Sequence, residues 1–498
     1  VDPQLFYEVI GSNSGASRAL TNRWPKLVNS DFEPGFTLRL ARKDIKNALA
    51  LGEGIPLPMS GMLYQLMTAA EKFDDEDVNA LRKLFEQIFY HANVYDSVRQ
   101  DFLTNAAIVC EGDRILEILP AAEQMPEGSK FDLGGKWVIP GLINLHEHQT
   151  YKRLVGPLFG PKGSFFQITD AALTQRAIRS AMYSLRMGIT TILEAGAPGN
   201  IPYTMRQATA EGSVPGPRML ITGQAFSITG GHGCELCIEV DTPDEMRKGV
   251  RSSFKKGVDA IKLLSSEEPV AVSEGEPVIA EISEEMIRAA VEEAHNVHSL
   301  VSIHAMGTEQ LGRSIRAGVD IINHGAFLND ALAEAMAGKG ITLIPTLSSY
   351  RLTAHTAFGR GEAWSAKHKT LWPAFDEAVA AARRAGVRIA IGTDSVGDFF
   401  HEMEMLHRRG MSTAECLQAA TLNGAQALKQ EKNLGSIAPG KYADFVVLDA
   451  NPLQDLSVLR NPVSVIKGAK RYDPVRLIWE NLPADVFVEA FEPGEEWM

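Results

Sequence analysis

VIPGLINLHEHQTY, residues 138–151, decides how the rest of this chain is read. A run of apolar, β-prone residues ends in two histidines separated by one acid: His146, Glu147 and His148. Side chains of a strand alternate faces, so residues two apart point the same way and both imidazoles can converge on one ion. Glu147 then faces the other way, which predicts a structural role for it. On its own such a pair fits a mononuclear zinc site as well as a larger centre.

Outward from this stretch, short apolar runs alternate with longer helical patterns as far as Gly392. GITTILEAG, RMLITG, AIKLLS, LVSIHAM, VDIINHG, GITLIPT and VRIAIGTD follow the opening VIPGLINLH. Strands of this kind, most followed by enough chain for a helix, predict the α/β class and a (β/α)8 TIM barrel over residues 139–429. Before it lie IFYHANVYDS, AAIVCEGDRILEIL and KFDLGGKWVIP, and after it IAPGKYADFVVLDANPL and VSVIKG, all short and bounded by turns. They predict a small composite β-sandwich domain made of residues 88–138 and 430–470, with a tail at 471–498. Residues 1–87 carry only helical spacing and predict a short all-α segment.

Barrels of this kind place their sites at the carboxyl ends of the strands. There, strand one supplies His146 and His148, strand four Lys262, strand five His304, strand six His324 and strand eight Asp394. A single strand-end histidine is usually a satisfied structural group. Four at one level, of only 12 in the chain, predict a metal site. Lys262 stands between Ile261 and Leu263, where loss of hydration favours the neutral amine. That amine can add carbon dioxide to become an anionic, two-oxygen ligand able to bridge two divalent ions. Pairing with a carboxylate inside the barrel is the alternative.

Several motifs together resemble the amidohydrolase superfamily in its binuclear form, over about residues 88–466. They are VIPGLINLHEH, SLRMGITTILEAG, GPRMLITGQAFSITGGHG, the strand-four lysine, VSIHAMG, AGVDIINHG, IAIGTDS and SIAPGKYADFVVLDANPL. More narrowly, GGHG at residues 230–233 resembles the zinc-dependent prolidase-like and carboxypeptidase-like group. The resemblance implies His146, His148 and Asp394 on one metal, His304 and His324 on the other, and carboxylated Lys262 between them. It implies hydrolysis by a metal-bridging hydroxide, with Asp394 passing the proton to the leaving amine. It also implies that His232 contacts substrate, at the oxyanion or a carboxylate; capping of its own glycine-rich loop is the alternative. Zinc is the expected metal, although manganese, iron and cobalt suit the same spacing.

The implied reaction is cleavage of an amide or peptide C–N bond in a dipeptide or N-acyl amino acid. A lactone, carbamate or cyclic-amide hydrolase, imidazolonepropionase-like, is the alternative on the same barrel. His304 is followed by Ala305, Met306 and Gly307 where a deaminase would carry glutamate three residues on. SSEEPVAVSEGEPVIAEIS departs from the glycine-rich loop of prolidase-like relatives, and Glu194 stands where relatives often have aspartate. Cys234 and Cys237 form a lone CxxC, read as ordinary loop cysteines. Tyr151 and Arg153 are candidates for binding a substrate carboxylate.

RALTNRWPKLVNSDFEPGF, the RKD at residues 42–44 and IPLP resemble the later helical domain of β-hydroxyacid dehydrogenases, the 3-hydroxyisobutyrate and tartronate semialdehyde group. No GxGxxG follows a strand, so no dinucleotide cofactor is expected. The segment reads as a catalytically silent remnant fused to the hydrolase, with self-association into a homo-oligomer as another use of its apolar faces. A non-catalytic or oxidoreductase-derived protein is the remaining alternative. A balance of 49 basic against 62 acidic residues, net −13, argues against nucleic acid or an anionic membrane as partner. The chain opens on Val1 without a signal-like pattern, and no run reaches the roughly 18 uncharged apolar residues of a spanning helix. Four cysteines in so long a chain predict a reducing, cytoplasmic setting rather than a disulfide framework.

Overall fold

The computed structural model describes residues 7–10, 17–28, 31–52, 55–120, 125–126, 128–150, 169–233, 237–265, 282–356, 366, 368–395 and 397–477. The chain divides into two units, a smaller one of residues 1–90, 107–112 and 116–132 and a larger one holding the rest. None of the helices among the described residues is long and apolar enough to cross a membrane.

The smaller unit begins with α1 (Arg18–Val28), α2 (Leu38–Leu51) and α3 (Pro58–Ala69), followed by a 3₁₀ stretch, Val78–Phe85. Leu38, Ala41, Met67, Ala70, Phe73 and Ala80 make the core of its helical part, and Ile88, Ala107 and Val109 a second cluster in its strands. Buried Asp77 accepts hydrogen bonds from the backbone N–H groups of Gly35 and Phe36 and from Arg23 Nη1, so one carboxylate ties a loop and a helix together. Helical structure gives way to β1 (Glu86–Asp96), with β2 (Asp101–Glu111), β3 (Arg114–Leu119) and β4 (Ser129–Asp132) after it. In this unit residues 87–90 of β1 pair in parallel with β4.

In the larger unit, VIPGLINLH is two strands rather than the single one its composition predicts. Gly141 separates β5 (Trp137–Pro140) from β6 (Leu142–Glu147). A Cβ at Gly141 would sit 2.0 Å from Thr190 Oγ1, so the close approach of the neighbouring strand requires glycine there. β5 pairs antiparallel with residues 445–448, while β6 enters a parallel sheet.

From β6 the chain alternates strands with helices: α4 (Asp170–Arg186), β7 (Ile189–Glu194), α5 (Ile201–Glu211), β8 (Arg218–Ile221), the short β9 (Phe226–Ser227) and β10 (Ile238–Glu239), then α6 (Pro243–Lys256). It continues through β11 (Ile261–Leu264), α7 (Glu284–Asn296), β12 (Val301–Ala305), α8 (Thr308–Ala317), β13 (Ile321–His324), α9 (Asp330–Lys339) and β14 (Thr342–Ile344). Helices α10 (Leu347–Thr356), α11 (Trp372–Arg384), α12 (Phe399–Arg408), α13 (Thr413–Ala419) and α14 (Leu422–Ala427) follow. Finally β15 (Phe445–Leu448), β16 (Ser464–Lys467) and β17 (Lys470–Tyr472) pair antiparallel in sequence, with β15 also against β5.

The parallel strands lie in the orders β6-β7-β8 and β10-β9-β11-β12-β13-β14. Every residue of β6, β7, β12 and β13 is buried, as expected of parallel strands covered on both faces. Helices are set off from strands by local chemistry. Thr242 and Glu245 form a capping box at the start of α6, and Gly257, with φ of 91°, ends it in the left-handed region just before β11.

Residues 388–394, the eighth expected strand, make bridges rather than a continuous ladder. Leu343 N donates to Arg388 O and Ala390 N to Leu343 O; Leu145 N donates to Ile391 O. Thr393 and Asp394 both donate to His146 O, and Asp394 has a φ of 56°, which ends extended geometry at that point. On the other side, Asp259 N donates 2.8 Å to Ile221 O, linking the end of β8 to the approach of β11.

Candidate active site

The carboxyl ends of β6, β11, β12 and β13 and the end of segment 388–394 bring the predicted residues together. His146 is the penultimate residue of β6 and His148 lies just past its end, with their Nε2 atoms 3.2 Å apart. Asp394 Oδ1 is 3.5 Å from His148 Nε2 and 3.8 Å from His146 Nε2. One donor atom each of His146, His324 and Asp394 falls within 4.8 Å of the others, a group able to hold a metal ion.

His304 and His324 face each other with ring centroids 4.3 Å apart, and His324 is 5.2 Å from His146. In the ladder Leu264 pairs with His304 and Ala305 with His324, so Lys262 starts two residues deeper along β11. Its long side chain reaches up to the histidines and brings Nζ to 3.4 Å from His146 Nε2. His232 stacks on His304 at 4.6 Å, carried by a loop in which Gly230 N donates to Glu239 Oε1 and Thr229 to Asp241.

Burial sets the electrostatics. It lowers the pKa of every one of His146, His148, His304 and His324, the last to about 3, so the four rings are uncharged at neutral pH. Burial likewise pulls Lys262 down to about 7, against the opposing attraction of Asp394 and Cys237. For Asp394 burial works upward, but His148, His324, Lys262 and the Ser395 N–H outweigh it and hold the carboxyl below its usual range. The cluster thus combines neutral nitrogen donors, an ionised carboxylate and an amine near its point of neutralisation.

A divalent ion fits these residues. Among the described residues, His304 Nε2 is a buried nitrogen without a hydrogen-bond partner, and such an atom costs about 1–3 kcal/mol if left unsatisfied. His148 Nδ1 lies 2.9 Å from the Gly196 carbonyl oxygen, which only accepts; the ring proton is therefore on Nδ1 and Nε2 keeps its lone pair.

Glu147 is fully buried behind the histidines. It accepts from Asn144 Nδ2 and Ser184 Oγ, while Asn144 also reaches Thr393 Oγ1 and Gln149 N donates to Glu194. This polar network ties β6 to its neighbours. One feature escaped sequence reasoning: Thr346 Oγ1 lies 2.6 Å from His324 Nδ1. Thr346 stands just past the last residue of β14, and inspection of every strand end, titratable or not, would have found it. Cys234, Tyr151, Arg153 and residues 266–281 of the departing loop lie outside the described residues.

Residues 1–85 match the family described as NAD-binding of NADP-dependent 3-hydroxyisobutyrate dehydrogenase. The match lies at the amino end and carries a NAD-binding description, where the motifs led to the expectation of the later helical domain. The chain is 27% identical over 425 residues to an ochratoxinase of Aspergillus niger, spanning 74% of this chain and 83% of the relative. A Xaa-Pro dipeptidase solved with methionine in its active site superposes with a TM-score of 0.71 at 27% identity, covering 78% of this chain and all of that one. A prolidase solved with N-methylphosphonate-L-proline gives 0.70 at 28%, covering 78% and 99%. These neighbours share a TIM-barrel-like fold with an extra domain, and residues 137–471 match the amidohydrolase family, to which this chain belongs.

Proposed function

We propose that this chain is a binuclear metal-dependent hydrolase that cleaves the amide or peptide C–N bond of a dipeptide or N-acyl amino acid. The observation that carries the reading is the convergence of four uncharged imidazoles, buried Lys262 and ionised Asp394 at one end of the parallel strands. The resemblance of the chain to a Xaa-Pro dipeptidase and a prolidase supports the choice of bond. In this reading the strands, with segment 388–394, close into a (β/α)8 barrel over residues 139–429, and residues 88–138 with 430–470 form a composite β-sandwich. Residues 1–87 are a catalytically silent remnant.

His146, His148 and Asp394 would hold one ion and His304 and His324 the other. Lys262, as its amine, would add carbon dioxide to give a carbamate and one proton, and so serve as a shared anionic ligand. Two divalent ions, zinc as first choice, would supply Lewis acidity and an acidified water there. Asp394 Oδ1 takes the proton of the attacking water and delivers it to the departing nitrogen, so the products are a carboxylate and an amine. His232, stacked beside His304, donates to the oxygen that gains charge as the carbonyl carbon becomes tetrahedral.

The test is metal analysis of protein purified without chelator, combined with turnover on dipeptides, N-acyl amino acids, lactones, carbamates and cyclic amides. Two ions per chain and preference for the first two classes are expected. Absence of bound metal, with no gain from added zinc and bicarbonate, would overturn the reading.

A further inference from the structure

His324 is held from behind by a device that none of the strand-end histidines announces. Thr346 is fully buried, and its hydroxyl makes two short contacts: it donates to the Pro345 carbonyl oxygen at 2.7 Å and lies 2.6 Å from His324 Nδ1. A hydroxyl carries one proton. With that proton given to Pro345, Thr346 Oγ1 has only lone pairs to offer His324, so Nδ1 must carry the ring hydrogen and Nε2 must present its lone pair to the site.

Holding the hydroxyl there has a conformational cost. Thr346 has a φ of 54°, in the left-handed region that a β-branched residue rarely adopts. It also stands immediately before α10, where a threonine would ordinarily turn its oxygen onto the first free N–H groups of the helix. Those donors are met by another residue. Glu402, fully buried on α12, accepts from Leu347 N at 2.9 Å through one carboxyl oxygen and from Ser348 N at 2.6 Å through the other. Glu402 thus takes over the cap of α10, and its carboxyl suits the positive end of that helix. Thr346 is released from capping and turned toward His324.

We propose that Thr346 and Glu402 are a positioning pair: Thr346 fixes the Nδ1–H tautomer of His324, and Glu402 holds Thr346 in the strained conformation that allows it. The inference rests on the metal-centre reading for its consequence, while the tautomer itself is a property of the metal-free chain. Outer partners that fix a ligand histidine commonly matter by about 10- to 100-fold in metal affinity.

The experiment uses full-length wild type, Thr346→Ser, Thr346→Val, Thr346→Ala and Glu402→Gln, each checked for folding by circular dichroism. Metal-free samples labelled with ¹⁵N-histidine give ring tautomers from two-bond ¹H–¹⁵N correlation spectra, with His324 assigned by its loss in His324→Asn. The same samples are titrated with Co²⁺ while visible absorption is recorded. Wild type and Thr346→Ser are expected to show His324 as the Nδ1–H tautomer and equal Co²⁺ affinity. Thr346→Val, or Thr346→Ala should the valine variant not fold, is expected to mix tautomers and bind Co²⁺ about 10- to 100-fold more weakly. Glu402→Gln is expected to shift both readings the same way. An unchanged Nδ1–H tautomer with wild-type affinity in the hydroxyl-free variants overturns the proposal. If wild type takes up no Co²⁺, the metal-centre reading fails, and the tautomer spectra still decide for or against the role of Thr346.

Discussion

At Lys262 a long apolar stem crosses the buried interior to put an amine 3.4 Å from His146 Nε2, where burial brings its pKa to about 7. An ammonium there would face an imidazole cluster rather than water, which is why the neutral amine suits the position better. Lys262→Met should keep the fold, since the methionine fills most of the same volume, yet lose most bound metal as read by elemental analysis. Full metal content in that variant would remove the bridging role. Asp394 separates binding from chemistry. Asp394→Asn should retain substantial metal through the histidines while turnover falls by about 10²- to 10⁴-fold, the usual weight of a positioned proton carrier. Near-wild-type kcat would end that assignment. Glu147, conspicuous in the sequence between two histidines, is bound to Asn144 and Ser184 and turned away from both, as strand alternation predicts.

At the level of elements, the site depends on how closely segment 388–394 approaches β6. A Cβ on Gly392 would meet Ile344 Cγ2 at 2.3 Å and His146 Cβ at 2.8 Å. Gly392→Ala should therefore push His146 out of line, costing about 1–3 kcal/mol by overpacking and weakening metal binding along with it. Thermal melts and a metal titration of the same sample would check the two effects together; wild-type values in both would show that the neighbours yield freely. Three non-glycine residues at successive strand ends, His324, Thr346 and Asp394, have φ of 72°, 54° and 56°. Such conformations persist where surrounding structure over-determines them, and here they turn side chains into the cluster. Away from the site, Lys467 at the end of β16 donates to Thr209 O and Gly216 O, and burial lowers its pKa from 10.5 to about 8, Arg218 adding to the effect and Asp444 opposing it. The unfolded chain then binds the extra proton between those values, so stability should rise as pH climbs from about 8 toward 10.5. Lys467→Met should lack that upward slope in melts taken below and across the window; a matching slope in both proteins would assign it elsewhere.

For the molecule as a whole, the two units differ in how well they cover apolar surface. In the smaller one Leu51 is 89% exposed and Met59 71%, beside Ile55 and Met62. Among the described residues its helical part shares a cluster of six buried apolar residues and its strands a second of three, Ile88, Ala107 and Val109, a modest core for a unit of this size. The hydrolase residues all lie at or beyond His146. A chain starting at Glu86, which keeps β1 entire, should therefore hold the same metal and turn over at the same rate as the full chain. Loss of both in a truncated protein that still melts cooperatively would show that the amino-terminal unit takes part in the function.

The cluster of side chains at the strand ends was legible in the sequence because its logic is local. Period-two alternation placed His146 and His148 on one face, and the apolar runs around Lys262, His304 and His324 marked strands buried on both sides. The βα alternation was equally legible, since many of the helices sign their ends with caps and glycines, as α6 does with Thr242 and Gly257. Other features depended on contacts between residues far apart in the chain. The break at Gly141 reflects Thr190, the irregular eighth segment reflects two N–H groups sharing His146 O, Thr346 meets His324 from the end of a different strand, and Glu402 accepts from Leu347 N across 55 positions of chain. Residue type and spacing determined which groups can bind a metal; which proton each ring carries, and how deeply burial discharges it, was decided by tertiary packing, because hydrogen-bond partners and desolvation exist only once the strands are side by side.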